Sequence, residues 1–434
     1  MSVYFEIAYA AASERLCLFT GTGFSKAITQ DTAPSWQSLL ELCCAPLAKG
    51  EALKAELFPE DGDGSLSLEE IAQIIDIELA KIGKNIHDVI NSHISTLVLS
   101  GDNSIIQSFM GKHKLSVVTT NYDKLAETLI GVEKCHSLTP GLPIPRSRAH
   151  SEVFHIHGST DAPSQMVVTT QNYLKFMNAE SYFSRKLSTV LHENTVVILG
   201  YSLGDTNLKA ILSDHKRMSF EQVISGNILL VSKDDVSQHI KEYYAHCYGI
   251  RVIDNVDIHD FFAATTESMV DAQKYADTKN NLKNVINKKH TYTDSYLKLS
   301  SSLREIVVAV GALGFSVNHK KIEKLLASII ERKKEFTKDD GAWDQYTQLA
   351  QWLTYLASII DINTLTIKDI YLSATRHSME TMSKSLTFGY SWHAYKAWDN
   401  GWSEINAANK SLIKDHITEH CQYTEDAMAI VNRA

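Results

Sequence analysis

Proline is missing from more than half of this chain. All seven prolines lie between Pro34 and Pro163, and none follows up to Ala434. Glycine thins out as well: of 20, only Gly311, Gly314, Gly341, Gly389 and Gly401 come after Gly249. Proline removes a backbone donor and glycine adds backbone entropy, so a stretch poor in both favours helix. Cysteine is scarce and scattered. Cys17, Cys43, Cys44, Cys135, Cys247 and Cys421 form no Cys-x-x-Cys pair and no zinc-ribbon spacing, so reduced thiols and no metal site are expected. Cys17 and Cys247 sit in apolar surroundings and read as small buried side chains.

Long apolar runs are absent too. None approaches the roughly 18 residues of a membrane span, and Met1–Ala12 has no basic segment ahead of an apolar core; a cytoplasmic protein with no membrane partner is expected. Positive charge is in deficit, with 42 Lys and Arg against 51 Asp and Glu, a net charge of −9 and a pI near 6.1. That balance argues against a dominant electrostatic grip, so no direct nucleic-acid binding is expected. With 434 residues, 44% hydrophobic and 21% charged, the chain can bury a sizeable core and is not a disordered or low-complexity protein.

The first part of the chain alternates. Short apolar runs at Leu16–Thr20, Leu115–Thr119, Val153–Ile156, Val196–Leu199, Ile228–Val231 and Ile250–Ile253 are separated by helical patterns such as Leu68–Ile82, Lys124–Ile130, Tyr182–His192 and Asp205–Leu212. Continuous apolar strands between amphipathic helices predict an α/β fold, a Rossmann-like doubly wound parallel sheet with helical insertions. A polar, lysine-rich stretch at Ala272–Asp294 puts the domain boundary near 270, giving an α/β domain over 1–270 and an all-α C-terminal domain over 271–434. The latter holds Trp343, Trp352, Trp392, Trp398 and Trp402 and long amphipathic segments such as Leu303–Ile330 and Gln348–Ile360. Aromatic side chains at helical spacing read as packing residues or as an oligomer face.

Polar or glycine-rich residues stand at several strand ends, where α/β folds open their binding crevice. After the first strand comes Gly21-Thr22-Gly23-Phe24-Ser25, either a tight turn or a loop that lets a pyrophosphate approach the backbone. After the second comes Thr120-Asn121-Tyr122-Asp123, whose Asn121 or Asp123 caps the next helix or projects into the crevice. The third carries His155 and His157 two residues apart, followed by Gly158-Ser159. Their spacing allows a metal pair, a core histidine or, for His157, acid–base chemistry. The fourth ends in Gly200-Tyr201-Ser202-Leu203-Gly204-Asp205, and the fifth in Ser232.

Taken in order, Gly21-Thr22-Gly23-Phe24-Ser25, Thr119-Thr120-Asn121-Tyr122-Asp123, His157-Gly158 and Gly200-Tyr201-Ser202-Leu203 resemble the dinucleotide-binding blocks of the sirtuins, over about Arg15–Phe262. The bacterial antiphage-defence branch is the closer likeness, through Pro34-Ser35-Trp36 and through Asp205 after Gly-Tyr-Ser-Leu. Two departures separate the chain from sirtuin deacylases: the zinc module with its cysteine pairs is missing, and Thr120 replaces the Gln that usually precedes the Asn.

The resemblance implies NAD+ as substrate and hydrolysis of its nicotinamide–ribose bond to nicotinamide and ADP-ribose, without a metal. It makes Asn121 and His157 the catalytic pair. It assigns Gly21, Thr22, Gly23 and Ser25 to the pyrophosphate, Phe24, Thr120, Tyr201 and Asp123 to cofactor binding, and Gly200, Ser202, Asp205 and Ser232 to the adenosine side. It also implies an antiviral effector held off by homo-oligomer state or by a defence partner such as a HerA-type ATPase. Two other outcomes keep the same pocket: a sirtuin-type protein deacylase or ADP-ribosyltransferase, and a non-catalytic NAD or ADP-ribose-binding scaffold.

Overall fold

A computed structural model describes residues 3–59, 66–145, 149–178, 182–201, 227–277, 279–287, 290–316, 319–421 and 423–433, together with 209 and 212. The strands are β1 (Leu16–Thr20), β2 (Ser116–Thr119), β3 (Cys135–Leu138), β4 (Ser151–His155), β5 (Thr195–Leu199), β6 (Ile228–Val231) and β7 (Ile250–Ile253). They form one parallel sheet in the order β3-β4-β2-β1-β5-β6-β7. The order reverses at β1, so the crevice opens beyond the carboxyl ends of β1 and its neighbours β2 and β5.

The apolar runs are continuous because both sheet faces are covered. Leu16, Leu18, Val117, Val197 and Leu229 face one cluster, which includes the first helix, Val3–Ala12, through Phe5 and Ile7. Cys17, Phe19, Val118, Val196 and Leu230 face another, under the helix Tyr182–Glu193. Burial pushes the Cys17 thiol up to about 12, as expected of a thiol used for packing. Between β1 and β2 lies a helical insertion that contains Trp36–Cys43, Leu68–Ala80 and Ile86–Ile94. Its core of Leu40, Ile71, Ile75, Ile86 and Ile90 also takes in Tyr122 and Met166, which lie beyond the ends of β2 and β4. The insertion therefore packs beside the mouth of the crevice.

The C-terminal region is helical, as its breaker-poor composition predicts. Trp352, Trp398 and Trp402 are buried in its own core, whereas Trp343 is half exposed. The polar Ala272–Asp294 stretch contains helix rather than an extended linker: Met269–Asp277 and Lys279–Ile286 are both helical. Met269, Ala272 and Ala276 join the cluster of Phe5 and Ile7 under the sheet. The amphipathic Leu303–Ile330 segment is broken into Ser302–Ala312 and Lys320–Phe336, with Gly314 at a positive φ of 71° between them. No described helix is long and apolar enough to cross a membrane.

Candidate functional site

In place of the expected turn or loop, β1 passes through Gly21 directly into the helix Thr22–Ile28, whose first turn is built around close backbone contact. Gly23 N donates to Gly200 O at 2.8 Å, Gly21 N to Leu199 O at 3.1 Å and Phe24 N to Gly21 O at 2.9 Å. A Cβ on Gly23 would lie 2.8 Å from Gly200 Cα, and one on Gly200, which has φ of 59°, would overlap the Gly23–Phe24 peptide. The helix start after β1 and the bend after β5 thus require glycine where they touch, before any ligand is considered. Tyr201 closes over the same turn, with its ring edge-on to Phe19 at 5.5 Å and against the Gly21 backbone.

The end of β2 is fastened to the end of β1. Thr120 N donates to Thr20 O at 3.3 Å, and Thr119 Oγ1 donates to the same carbonyl at 3.2 Å. That anchor brings the Asn121 side chain across to the glycine turn. Its Nδ2 donates to Gly21 O at 2.9 Å and to Ser25 Oγ at 2.8 Å. Ser25 Oγ in turn donates to Asp123 Oδ2 at 2.7 Å, while Asp123 Oδ1 accepts from Leu125 N at 3.0 Å. Asp123 precedes the N-cap residue Lys124, so it is not the cap itself; one of its oxygens accepts from Leu125 N and the other from Ser25 Oγ. Burial raises the Asp123 carboxyl above its ordinary range, partly offset by the Ser25 and Leu125 bonds and by the charge of His155.

β4 ends at His155, and His157 stands in the turn that follows. The two rings do not share the environment that strand alternation predicts. His157 is buried, with Tyr173 edge-on at 5.4 Å and Phe176 edge-on at 5.5 Å. Gly158 adopts φ of 87°, and a Cβ there would lie 2.8 Å from Met166 Cα, which explains the His-Gly pair in steric terms. The His155 ring is fully buried on the other side. Its Nδ1 meets Asn121 O at 3.1 Å and its Nε2 meets Glu127 Oε1 at 2.8 Å. No group of three or more His, Cys, Asp and Glu side chains suited to a metal occurs among the described residues.

Glu127, Lys124 and Asp161 were not singled out from the sequence. Lys124 Nζ lies 2.7 Å from Glu127 Oε1 and 2.6 Å from Asp161 Oδ2, and also bonds Ser137 Oγ. Burial alone would raise the Glu127 carboxyl; His155 and Lys124 overcome that and bring it down to about 2. A glutamate in the first turn of the helix Leu125–Ile130 reads as an ordinary complement to the helix dipole. Its partner lies 28 residues away.

The remaining candidates separate. Gly21, Thr22, Gly23, Ser25, Thr120, Asn121, Asp123, Gly200 and Tyr201 converge beyond β1, β2 and β5. Ser25 is buried within the network, and Phe24 belongs to the core beneath it. Ser232 stands at the end of β6, two strands from β1, with its hydroxyl donating to Asp234 O at 2.9 Å. Ser202 and Asp205 lie outside the described residues, as does most of the helix expected at Asp205–Leu212.

Comparison with known proteins agrees with this fold. Residues 115–253, from just before β2 to the end of β7, match the SIR2-like domain. Defense-associated sirtuin 2 of Bacillus subtilis is 22% identical over 260 residues, which is 59% of this chain and 24% of that protein. NAD(+) hydrolase ThsA of Bacillus cereus is 26% identical over 226 residues, 51% of this chain and 44% of that protein. The matched region thus spans less than half of either relative. The parallel sheet and the ordered strand-end blocks thus accompany a region, from β2 to β7, that is similar to the SIR2-like domain.

Proposed function

We propose that the crevice beyond β1, β2 and β5 binds NAD+ and hydrolyses its nicotinamide–ribose bond. The observation that carries this reading is the Asn121 carboxamide, brought from β2 onto Gly21 and Ser25 of the glycine turn. The two relatives named above, one called an NAD(+) hydrolase and the other a defence-associated sirtuin, support it.

The nicotinamide nitrogen is already cationic in the substrate, so the C1′–N bond breaks with the electron pair going to nitrogen and releases neutral nicotinamide. Water supplies the oxygen that bonds C1′, and its proton is lost to a base. Catalysis therefore depends on stabilising an oxocarbenium-like ribose and placing the water. Asn121 positions the ribose or the water through its carboxamide, and His157 takes the proton. The Tyr173 and Phe176 rings flank His157 and limit bulk water around it. Gly21, Thr22, Gly23 and Ser25 form the pyrophosphate side, and Gly200, Tyr201 and Ser232 the adenosine side.

A hydrolase that consumes a shared cofactor needs an off state. The helical region supplies it through assembly or through a defence partner. Leu386 and Phe388, 90% and 99% exposed beside Trp343, support such a contact. The test is incubation of the full chain with NAD+, alone and with the proteins encoded beside it, with product analysis and light scattering. Equal yields of nicotinamide and ADP-ribose are expected. Binding without turnover under every condition would move the chain to the scaffold reading, and product that requires an acylated peptide would move it to the deacylase reading.

A further inference from the structure

The two side chains placed at the reaction centre stand on different loops: Asn121 follows β2, and His157 follows β4. Backbone bonds join these loops at their edges, from Ile156 N to Thr119 O at 3.0 Å and from Thr160 N to Tyr122 O at 3.0 Å. Between them, the Asn121 carbonyl meets a side chain, His155 Nδ1 at 3.1 Å. The carbonyl of His155 itself accepts from Gly158 N at 3.1 Å and closes the turn that carries His157. His155 therefore touches both loops, one through its ring and the other through its backbone.

The ring has little freedom. It is 0% exposed, and Nε2 faces Glu127 Oε1 at 2.8 Å. A main-chain carbonyl only accepts hydrogen bonds, so Nδ1 is the donor to Asn121 O, while Nε2 faces the Glu127 carboxyl. The same Glu127 oxygen is held by Lys124 at 2.7 Å, and Lys124 reaches Asp161 at 2.6 Å, beyond the His157 turn. The path from Asn121 through His155, Glu127 and Lys124 to Asp161 thus returns to the loop that carries His157.

We propose that His155, oriented by Glu127, is a positioning residue: its ring holds the Asn121 peptide and so fixes the Asn121 carboxamide relative to His157. The consequence for turnover rests on the hydrolase reading; the cause rests on these contacts alone. If the Asn121 peptide rotated, its Nδ2 would leave Gly21 O and Ser25 Oγ. A misplacement of about 1 Å at a reacting group costs on the order of 10²-fold in rate.

The test compares His155→Leu, His155→Gln and Glu127→Gln in the full chain. Three readouts are used: amide hydrogen exchange, calorimetric affinity for ADP-ribose, and kcat and KM for NAD+. His155→Leu should speed exchange in segments 119–125 and 156–161 while leaving β1 protected. It should lower kcat by about 10²-fold with KM and ADP-ribose affinity changed less than about threefold. His155→Gln, which keeps one donor, should recover part of kcat, and Glu127→Gln should fall between the two. Unchanged exchange and kcat in a folded His155→Leu protein would overturn the proposal, as would equal losses of kcat and affinity. If His155→Leu does not fold, the two glutamine variants decide by the same measures. If the wild-type chain never turns over NAD+, that result removes the hydrolase reading, and exchange in the two segments still decides whether His155 positions Asn121.

Discussion

The two ends of the parallel sheet each bury a carboxylate with cations, and they use it differently. At the carboxyl end, Glu127 is held by His155 and Lys124 and fastens two loops that carry site residues. At the amino end, Glu6 on the first helix pairs with Arg251 of β7 at 2.7 Å and with Arg304 of the helix Ser302–Ala312 at 3.7 Å. Arg15 extends that seam, donating to Glu193 O at 2.8 Å and to Gly311 O at 3.1 Å. Arg304 also lies over the Tyr355 ring at 4.4 Å. One end thus uses buried charge to position side chains, and the other uses it to fasten the helical region to the sheet. The amino end also holds a cavity of about 130 Å³ lined by Glu6, Tyr9, Arg15 and Arg251. That is smaller than the roughly 300–1,000 Å³ of ordinary small-molecule sites. Its size fits a junction between two packed regions better than a dinucleotide site.

The comparison breaks most sharply if activity is lost from the wrong end. Asn121→Ala should abolish nicotinamide release while the melting temperature holds, because the side chain is a polar crevice group rather than core; turnover in a folded variant would remove it from the mechanism. His157→Ala should lower kcat by about 10²–10⁴-fold, the range for loss of a general base, with a smaller effect on KM. Steady-state kinetics on NAD+ measures both, and a rate near wild type would leave His157 as a packing residue.

The amino end should show the opposite pattern. Arg251→Met leaves Glu6 buried with the more distant Arg304 as its cationic partner, and breaking such a pair costs about 3–5 kcal/mol of unfolding free energy. Denaturant unfolding should detect that loss, while turnover per folded molecule stays at the wild-type value. A selective loss of kcat would mean that the seam communicates with the crevice.

Acid should weaken both ends, with the sign set by their carboxylates. Burial raises the Glu6 carboxyl, and Arg251 and Arg304 more than offset it, so its net shift is downward. Glu127 is brought to about 2 from an ordinary 4.5. A carboxyl depressed on folding contributes stability that is complete above its unfolded pKa and is lost as pH falls through the folded value. For Glu127 that window runs from about pH 4.5 down to about 2. Asp123 is shifted upward, chiefly by burial, and opposes the trend by taking up its proton earlier in the folded state. Melting temperature measured from neutral pH into this window should fall, and Glu127→Gln should flatten the fall. An unchanged slope would show that Glu127 is not held as an ion in the folded chain.

Legibility followed burial. The expected bounds of β1 and β6 agree with the structure because every residue of each is buried in a covered parallel sheet; those of β7 agree too, although it lies at an edge, carries Arg251 and buries only Ile250. β3, Cys-His-Ser-Leu at an edge with only Leu138 buried, gives no such pattern and was missed. The polar Ala272–Asp294 stretch concealed two helices because only one side of Met269–Asp277 packs, through Met269, Ala272 and Ala276. Tryptophan shows the same limit: five aromatics marked the C-terminal region, but only packing separated buried Trp352, Trp398 and Trp402 from half-exposed Trp343.

The site divides along the same line. Local sequence determined the glycine turns, the polar strand ends and their order, because a residue's place at the end of a parallel strand follows from nearby apolar periodicity. Tertiary structure decided which of those groups meet. Asn121 finds Gly21 across 100 positions, Ser25 finds Asp123 across 98, and His155 finds Glu127 across 28. Strand order and register bring such partners together, and neither can be read from one segment's own residues. The glycines were visible as letters, but the contact between Gly23 and Gly200 that demands them exists only once β1 and β5 lie side by side.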